Sequence, residues 1–481
     1  MLILALDLGT SSMRSALFDA RGTRVAGTTA QRTYRLTTDA SGRAELDPVE
    51  MLAAFVACIG ETLAARAADP ALSARPIAAV GTSCFWHSLV GVDADGDPLT
   101  PIVTWADSRC RAEAEGLRKR LDERAVHART GCMLRASFWP AKLRWLARTQ
   151  GKTFARVASW MSPAEWLYLR LLGLRPDQGR CAHGMASATG LYDPVKRVWD
   201  AGMLRACHIR AAQLPTVSDE ALPAADCRFA ELRAAAWIPA IGDGAANNLG
   251  AGATRPGTAA INFGTSGAVR VLRHGGTPRA PYGLFCYRVD ARRFLVGGAI
   301  TNAGGLRAWC LEHLRLPAGA ELEQAMAARP GPAHGLRVLP FWMAERAPTW
   351  REDLAGAIDG ISQATTALDL YQAITEATYH RLATIIERIP GDTRRLRFLV
   401  GGGIQQSPSA FQRLADVIGR TLVACDEPET SLRGAAVLAI ERLGKRPAAI
   451  GGTVVRPRAR WAKAYALERT RLAQLEDALY G

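Results

Sequence analysis

Lysine is scarce in this 481-residue chain, occurring only at positions 119, 142, 152, 196, 445 and 463, so arginine carries nearly all of the positive charge behind the net +15. The arginines are spread along the whole sequence. Their densest runs, RPRARWAK (456–463) and RRLR (394–397), are short, and aromatics do not interleave with them as a stacking platform for nucleic acid requires. We read them as solvated faces, with a remainder that steers anionic substrates. Paired cysteines are also missing: the ten cysteines (58, 84, 110, 132, 181, 207, 227, 286, 310 and 425) form no CxxC and no zinc-like spacing, which points to reduced thiols in a cytoplasm. The opening MLILALDLGT has no basic flank, and Asp7 interrupts its short apolar run. Neither a secretory signal nor, further on, a bilayer-spanning segment is expected. A P-loop is absent as well, since GKT at 151–153 has Leu146 where the upstream glycine belongs.

What is present suggests duplication. The length calls for two large domains of ordinary soluble composition. ALDLGTSS (5–12) and AINFGTSG (260–267) repeat one small turn behind strand-like residues, half a chain apart. Around the first, the pattern predicts two or three antiparallel strands, then a helix begun by Asp47 as N-cap before Pro48. PIAAVGTSC (76–84) reads as a buried strand and 87–109 as two strands about an Asp-Gly turn. Residues 110–235 are largely helical. Around the second copy come a hairpin, the strand RFLVGGAI (293–300), a helix over 364–389, the strand and Gly-rich turn LRFLVGGGI and a further helix. The division is expected near Trp237 to Gly242, giving domains 1–238 and 239–481.

Gly9 and Gly264 allow backbone N–H groups to approach an anion, and Thr10, Ser11, Thr265 and Ser266 add hydroxyls. Asp7 in the first copy can hold Mg²⁺ directly or through water, where the second copy has neutral Asn262. VGGGIQQSP (400–408) sits between a strand and a helix, where close backbone approach suits a flat or anionic ligand. Asp243, between two glycines in IGDGAANNLG, is suited to take a proton from an attacking hydroxyl; capping the following helix is the other reading of it.

LALDLGTSS, ASATGLYD (186–193), IGDGAANNLG, NFGTSGAVR, GGAITNAGGLRAW, ERAPTW (345–350) and VGGGIQQSP occur in the order found in the FGGY carbohydrate kinases, and the likeness runs from residue 4 to about 440. The resemblance implies an α/β fold of two actin-like (ribonuclease-H-like) domains with the active site in the cleft between them. ATP and Mg²⁺ are the implied cofactors. It makes Asp243 the base and Asp7 the metal-associated carboxylate. Thr10, Thr265 and Gly304 fall along the phosphates, and Gly402 and Gly403 behind the adenosine. On the sugar side it puts His87 and Asp107 in the pocket with Trp86 and Trp105 as walls. HSLVGVD, TWADSR and FGTSGAVR look most like the gluconokinase branch, although Trp86, Ala344 and the 133–142 segment depart from it. D-gluconate is therefore the expected acceptor, with Arg109 or Arg135 as partner for its carboxylate. Xylulose or ribulose is the alternative, and a binding-only sensor a weaker one. The expected partner is a small sugar or sugar acid, with no nucleic acid and no membrane; a homodimer is allowed.

Overall fold

The computed structural model describes residues 1–481. The first hairpin, β1 (Leu2–Leu8) and β2 (Ser12–Asp19), is followed by β3 (Ala30–Thr33). Helix α1 (Pro48–Ala68) then begins at Asp47, whose carboxylate accepts from the amides of Val49 and Glu50, and leads to β4 (Ile77–Cys84). Within the helical stretch that follows lies α2 (Trp139–Thr149). Two short strands, β5 (Ala236–Trp237) and β6 (Ile241–Gly242), precede α3 (Asp243–Gly250). The second half supplies β7 (Thr258–Phe263), β8 (Gly267–His274), β9 (Phe285–Arg288) and β10 (Arg293–Ile300). It continues with α4 (Gly304–His313), α5 (Ala367–Arg388), β11 (Arg397–Gly401), α6 (Pro408–Ile418), β12 (Leu422–Cys425), α7 (Thr430–Arg442) and β13 (Gly452–Val455).

The duplication is visible in strand order. The first sheet runs β5-β4-β1-β2-β3, with β6 also on β4; the second runs β9-β10-β8-β7-β11-β12-β13. In both, the hairpin partner is antiparallel and the strand on its other side is parallel. Asp7 and Asn262 therefore hold the same place, each the penultimate residue of its strand, with Asp7 opposite Ser83 and Asn262 opposite Gly401.

Three glycines bring the halves together. A Cβ on Gly250 would stand 1.7 Å from the Thr430 carbonyl oxygen, one on Gly434 1.8 Å from that of Ala246, and one on Gly81 2.2 Å from that of Ala435. Thus α3 and α7 cross with their backbones in contact, and α7, from the far end of the chain, lies directly on β4. Residues 435–440 are buried in the same apolar core as β1 and β4.

One expectation is extended and one corrected. Residues 87–109 hold the two expected strands, Val90–Val92 and Ile102–Val103, about a turn closed by the Asp93 amide on Asp97 O, with antiparallel bridges Leu89–Val103 and Val92–Pro98 between the arms; the strands pair further with Ser159–Met161 and Ala44–Leu46. The local turn forms, and longer-range partners supply the rest of the pairing. Helix α1, in turn, is long and apolar enough to cross a bilayer, with a mean hydropathy of 1.5 in its most apolar window. Its apolarity faces inward: Met51, Phe55, Cys58 and Ile59 are buried in the core of the first sheet.

Gly434→Ala is expected to destabilise the fold by about 3 kcal/mol or more, because backbone rather than a flexible side chain occupies the space. Chemical denaturation measures this; a loss below about 1 kcal/mol would show that the crossing has slack.

Candidate active site

Both Gly-Thr-Ser turns open onto one cavity of about 400 Å³, lined by Asp7, Thr10, Trp86, His87, Trp105, Asp243, Gly264, Thr265, Ser266, Arg270, Tyr287 and Arg346 among others. Gly9 and Gly264 do not present their own amides, as these close the turns onto Ser12 O (2.9 Å) and Ser266 O (3.0 Å). The amides of Thr10, Ser11, Thr265 and Ser266 donate to no group of the chain and are the ones left for an anion. Ser11 lies exposed at the tip, outside the cavity lining. Thr10 Oγ1 accepts from Trp105 Nε1 at 3.1 Å, so its own hydrogen is free to donate elsewhere.

The second turn also borders a neighbouring cavity of about 720 Å³ that holds Gly304, Gly305, Thr375, Tyr379, Gly403 and Gln406. Gly304 pins α4 to the turn: its amide donates to Gly264 O at 2.9 Å, and a Cβ there would meet that oxygen at 2.4 Å. Gly402, with φ +98°, does not line the cavity. It packs against the end of β7, where a Cβ would meet Phe263 O at 2.6 Å.

Asp243 is the first residue of α3, behind Gly242 as N-cap, and its Oδ1 accepts from the Gly244 amide at 2.7 Å. It makes a local turn bond and does not cap the helix from the N-cap position. The flanking glycines serve packing: a Cβ on Gly242 would lie 1.7 Å from Trp86 Nε1, and one on Gly244 2.7 Å from Arg270 Nε. Burial raises the Asp243 carboxyl above the usual range, against the pull of Arg270, the Gly244 amide and Arg346. Asp7 is pushed up to about 6, first by burial and further by Asp243, with Arg14 pulling the other way. Two carboxylates, Asp7 and Asp243, thus line one cavity, neither in an ion pair. No cluster of three or more His, Cys, Asp or Glu side chains makes a protein cage for a metal. That donor set fits Mg²⁺, which keeps most of its waters and takes one or two carboxylates plus phosphate oxygens.

His87, which lines the same cavity, has its Nδ1 2.6 Å from the Ala188 carbonyl. A carbonyl only accepts, so Nδ1 carries the hydrogen and Nε2 is an acceptor. Burial, with Arg346 and Lys142 adding to it, pulls the imidazole down to about 3 and keeps it neutral. Trp86, Tyr287 and Phe285 form the aromatic wall, with Trp86–Tyr287 edge-on at 5.0 Å and Phe285–Tyr287 stacked at 4.6 Å. Strand β9 reaches this wall from the second sheet and is tied to the first half through its backbone: Cys286 N donates to Gly131 O (3.1 Å) and Arg288 N to Ser187 Oγ (2.9 Å).

Asp107 and Arg109 are not brought to the cavity. Asp107 is buried, accepting from the Ala44 amide at 2.9 Å and from Arg109 Nη2 at 2.6 Å. Arg109 also pairs with Glu45 and lies 4.3 Å over the Trp145 ring, so its guanidinium is fully engaged in pinning Ala44–Leu46 to the loop. Arg135 is held by Glu123 and the Trp350 carbonyl. The cations facing the cavity are instead Arg270 and Arg346. Neither forms an ion pair, and Arg270 Nε and Nη1 and Arg346 Nε are buried without a hydrogen-bond partner. A charge interrupting the apolar strand GAVRVL was the sequence signal for the first; Arg346 stands inside ERAPTW.

The N-terminal domain of the FGGY family of carbohydrate kinases matches residues 2–246, and its C-terminal domain matches residues 259–441. A gluconokinase of Bacillus subtilis (strain 168) is 25% identical over 468 residues, 92% of this chain and 88% of the relative. A ligand-bound xylulose kinase and a gluconate kinase, both from Lactobacillus acidophilus, each share the fold with a TM-score of 0.90 at 23% identity, over 99% of this chain and 98% of theirs. Kinases of this family use ATP to phosphorylate small carbohydrates. With both family domains matched in order around a cleft of this construction, the chain belongs to the FGGY carbohydrate kinases and is a phosphotransferase with an alcohol group as acceptor.

Proposed function

We propose that this kinase transfers the γ-phosphoryl group of ATP to a terminal hydroxyl of an open-chain sugar acid, D-gluconate foremost, in a cytoplasmic setting. The observation that carries the acid is the pair of guanidinium groups lining the cavity, Arg270 and Arg346, neither in an ion pair, with Arg270 Nε and Nη1 and Arg346 Nε buried without a hydrogen-bond partner. Buried donors of that kind are costly without a partner, and a carboxylate accepts from two of them at once. His87 Nε2 accepts from a sugar hydroxyl, and the Trp86–Tyr287 wall excludes water. Asp243, its carboxyl raised above the usual carboxylate range by burial, accepts the hydroxyl proton as the new O–P bond forms and the bond to ADP breaks. The free amides and hydroxyls of the two turns, one from each half (1–238 and 239–481), hold the phosphates, with Gly403 bordering the nucleoside. Asp7 is the residue that would hold Mg²⁺, which neutralises phosphate charge when bound.

Three substitutions and an acceptor panel test this reading. Asp243→Asn lowers kcat by ~100-fold to 10,000-fold while nucleotide binding, followed by calorimetry, stays intact; near-full turnover would remove Asp243 from the chemistry. Arg270→Gln and Arg346→Gln lower kcat/KM for gluconate by ~10-fold to 100-fold, the scale of a charge-assisted hydrogen bond, and that for glycerol by less than about threefold. Equal losses on both acceptors would assign the arginines to the phosphoryl group. Across gluconate, xylulose, ribulose and glycerol with excess ATP, a tenfold preference for a ketopentose overturns the acid and leaves the kinase.

Asp7 adds a pH signature to the nucleotide-free, metal-free protein. Its folded-state carboxyl, at about 6 against 3.8 for a free aspartate, favours folding while protonated. That contribution is full below 3.8 and lost as pH rises through about 6. Denaturation midpoints of the native chain therefore fall relative to those of Asp7→Asn between pH 4 and pH 7, and parallel curves would contradict the raised carboxyl.

A further inference from the structure

Lys142, on α2, has 0% of its surface exposed. It forms no ion pair. Its Nζ instead donates to two main-chain carbonyls, those of His87 and Ser137, each at 2.7 Å. A buried ammonium satisfied only by carbonyls is an expensive feature, and the Asp107 carboxylate nearby is already bound by Arg109. Burial draws the amine down to about 8, so it remains mostly charged at neutral pH.

The residue it grips is unusual. His87 has φ +67°, the left-handed region that few non-glycine residues adopt and that the surroundings must hold. Its ring is fixed on one side by the Ala188 carbonyl and meets Phe138 at 4.7 Å and Tyr287 at 5.8 Å. Phe138 adjoins Ser137, the second residue that Lys142 holds. One ammonium thus joins the backbone of His87 to the loop carrying a ring against which its imidazole packs. The composition agrees: in a chain that uses arginine at nearly every cationic position, a lysine stands here, where a compact point donor fits between two carbonyls and a planar fork does not.

We propose that Lys142 is a positioning residue for sugar recognition: its ammonium clamps the His87 and Ser137 carbonyls, keeps His87 in the left-handed conformation and so aims Nε2 into the sugar cavity. The proposal rests on the reading that His87 touches the acceptor.

The test compares Lys142→Met, Lys142→Gln, His87→Ala and the Lys142→Met/His87→Ala pair by steady-state kinetics in the acceptor and in ATP, with thermal melts alongside. Lys142→Met is expected to lower kcat/KM for the acceptor by ~10-fold to 100-fold, mainly through KM, with KM for ATP changed less than about twofold. Lys142→Gln, which can still donate to both carbonyls, recovers part of the loss. In the His87→Ala background, Lys142→Met costs less than about twofold, since the group it positions is gone. Losses that multiply in the double variant, or that fall equally on ATP, overturn the clamp alone. Unchanged acceptor kinetics in His87→Ala overturn the reading beneath it. If both Lys142 variants fail to fold, the lysine belongs to the stability of the core and the proposal is likewise overturned.

Discussion

The contact of backbone on backbone at Gly81, Gly250 and Gly434 is the constraint on which the site depends. It lets α7 lie directly on β4 and cross α3 without intervening side chains. The end of α3 is consequently fixed relative to the first sheet, and Asp243 is the first residue of that helix. Asp243 and the first Gly-Thr-Ser turn are therefore referred to the same strands, β1 and β4, although one follows the other by more than two hundred residues. Polar ties reinforce the crossing: Asn247 Nδ2 donates to Thr430 Oγ1 at 2.6 Å, and Arg433 donates to Gly250 O at 2.7 Å and Gly22 O at 3.0 Å.

Within this frame the cavity is organised by charge. Two carboxylates, Asp7 and Asp243, and two guanidinium groups, Arg270 and Arg346, line it together with the two Gly-Thr-Ser turns. None of the four is paired with another at contact distance, so each keeps hydrogen-bonding capacity that the folded chain alone does not use. A site left in this state is pre-organised for ligands that carry the missing charges, and the protein does not need to break internal ion pairs to receive them.

Much of this was legible in the sequence because the signals were local. A strand ending in Gly-Thr-Ser, an Asp-Pro helix start at 47–48 and an Asp between two glycines each depend on neighbours a few positions away, and the structure keeps all three. What escaped depended on distant partners. Asp107 and Arg109 lie in the expected segment, yet their direction is set by Glu45 and Ala44, some sixty residues earlier. Arg270 sits on a strand whose exposed face is defined only once the other half packs opposite it. The apolar length of α1 carries no information about which surface it meets. The burial of α7 in the core of the first sheet joins the two ends of the chain, and no window of sequence contains both.

Strand β9 is tied to the first half by main-chain groups, the Cys286 amide on Gly131 O and the Arg288 amide on Ser187 Oγ, and by the preceding Leu284 carbonyl, which accepts from His127 Nε2; Arg288 Nε adds a side-chain hydrogen bond to Pro194 O at 2.6 Å. Amides and carbonyls are common to every residue type. Over evolutionary time the side chains at 285–287 can be exchanged while these main-chain ties and the Arg288 bond keep the two halves fastened. The cleft can then hold its shape while the groups projecting into it are exchanged, and a single scaffold can move between acidic and neutral acceptors by point substitutions that leave its closure untouched.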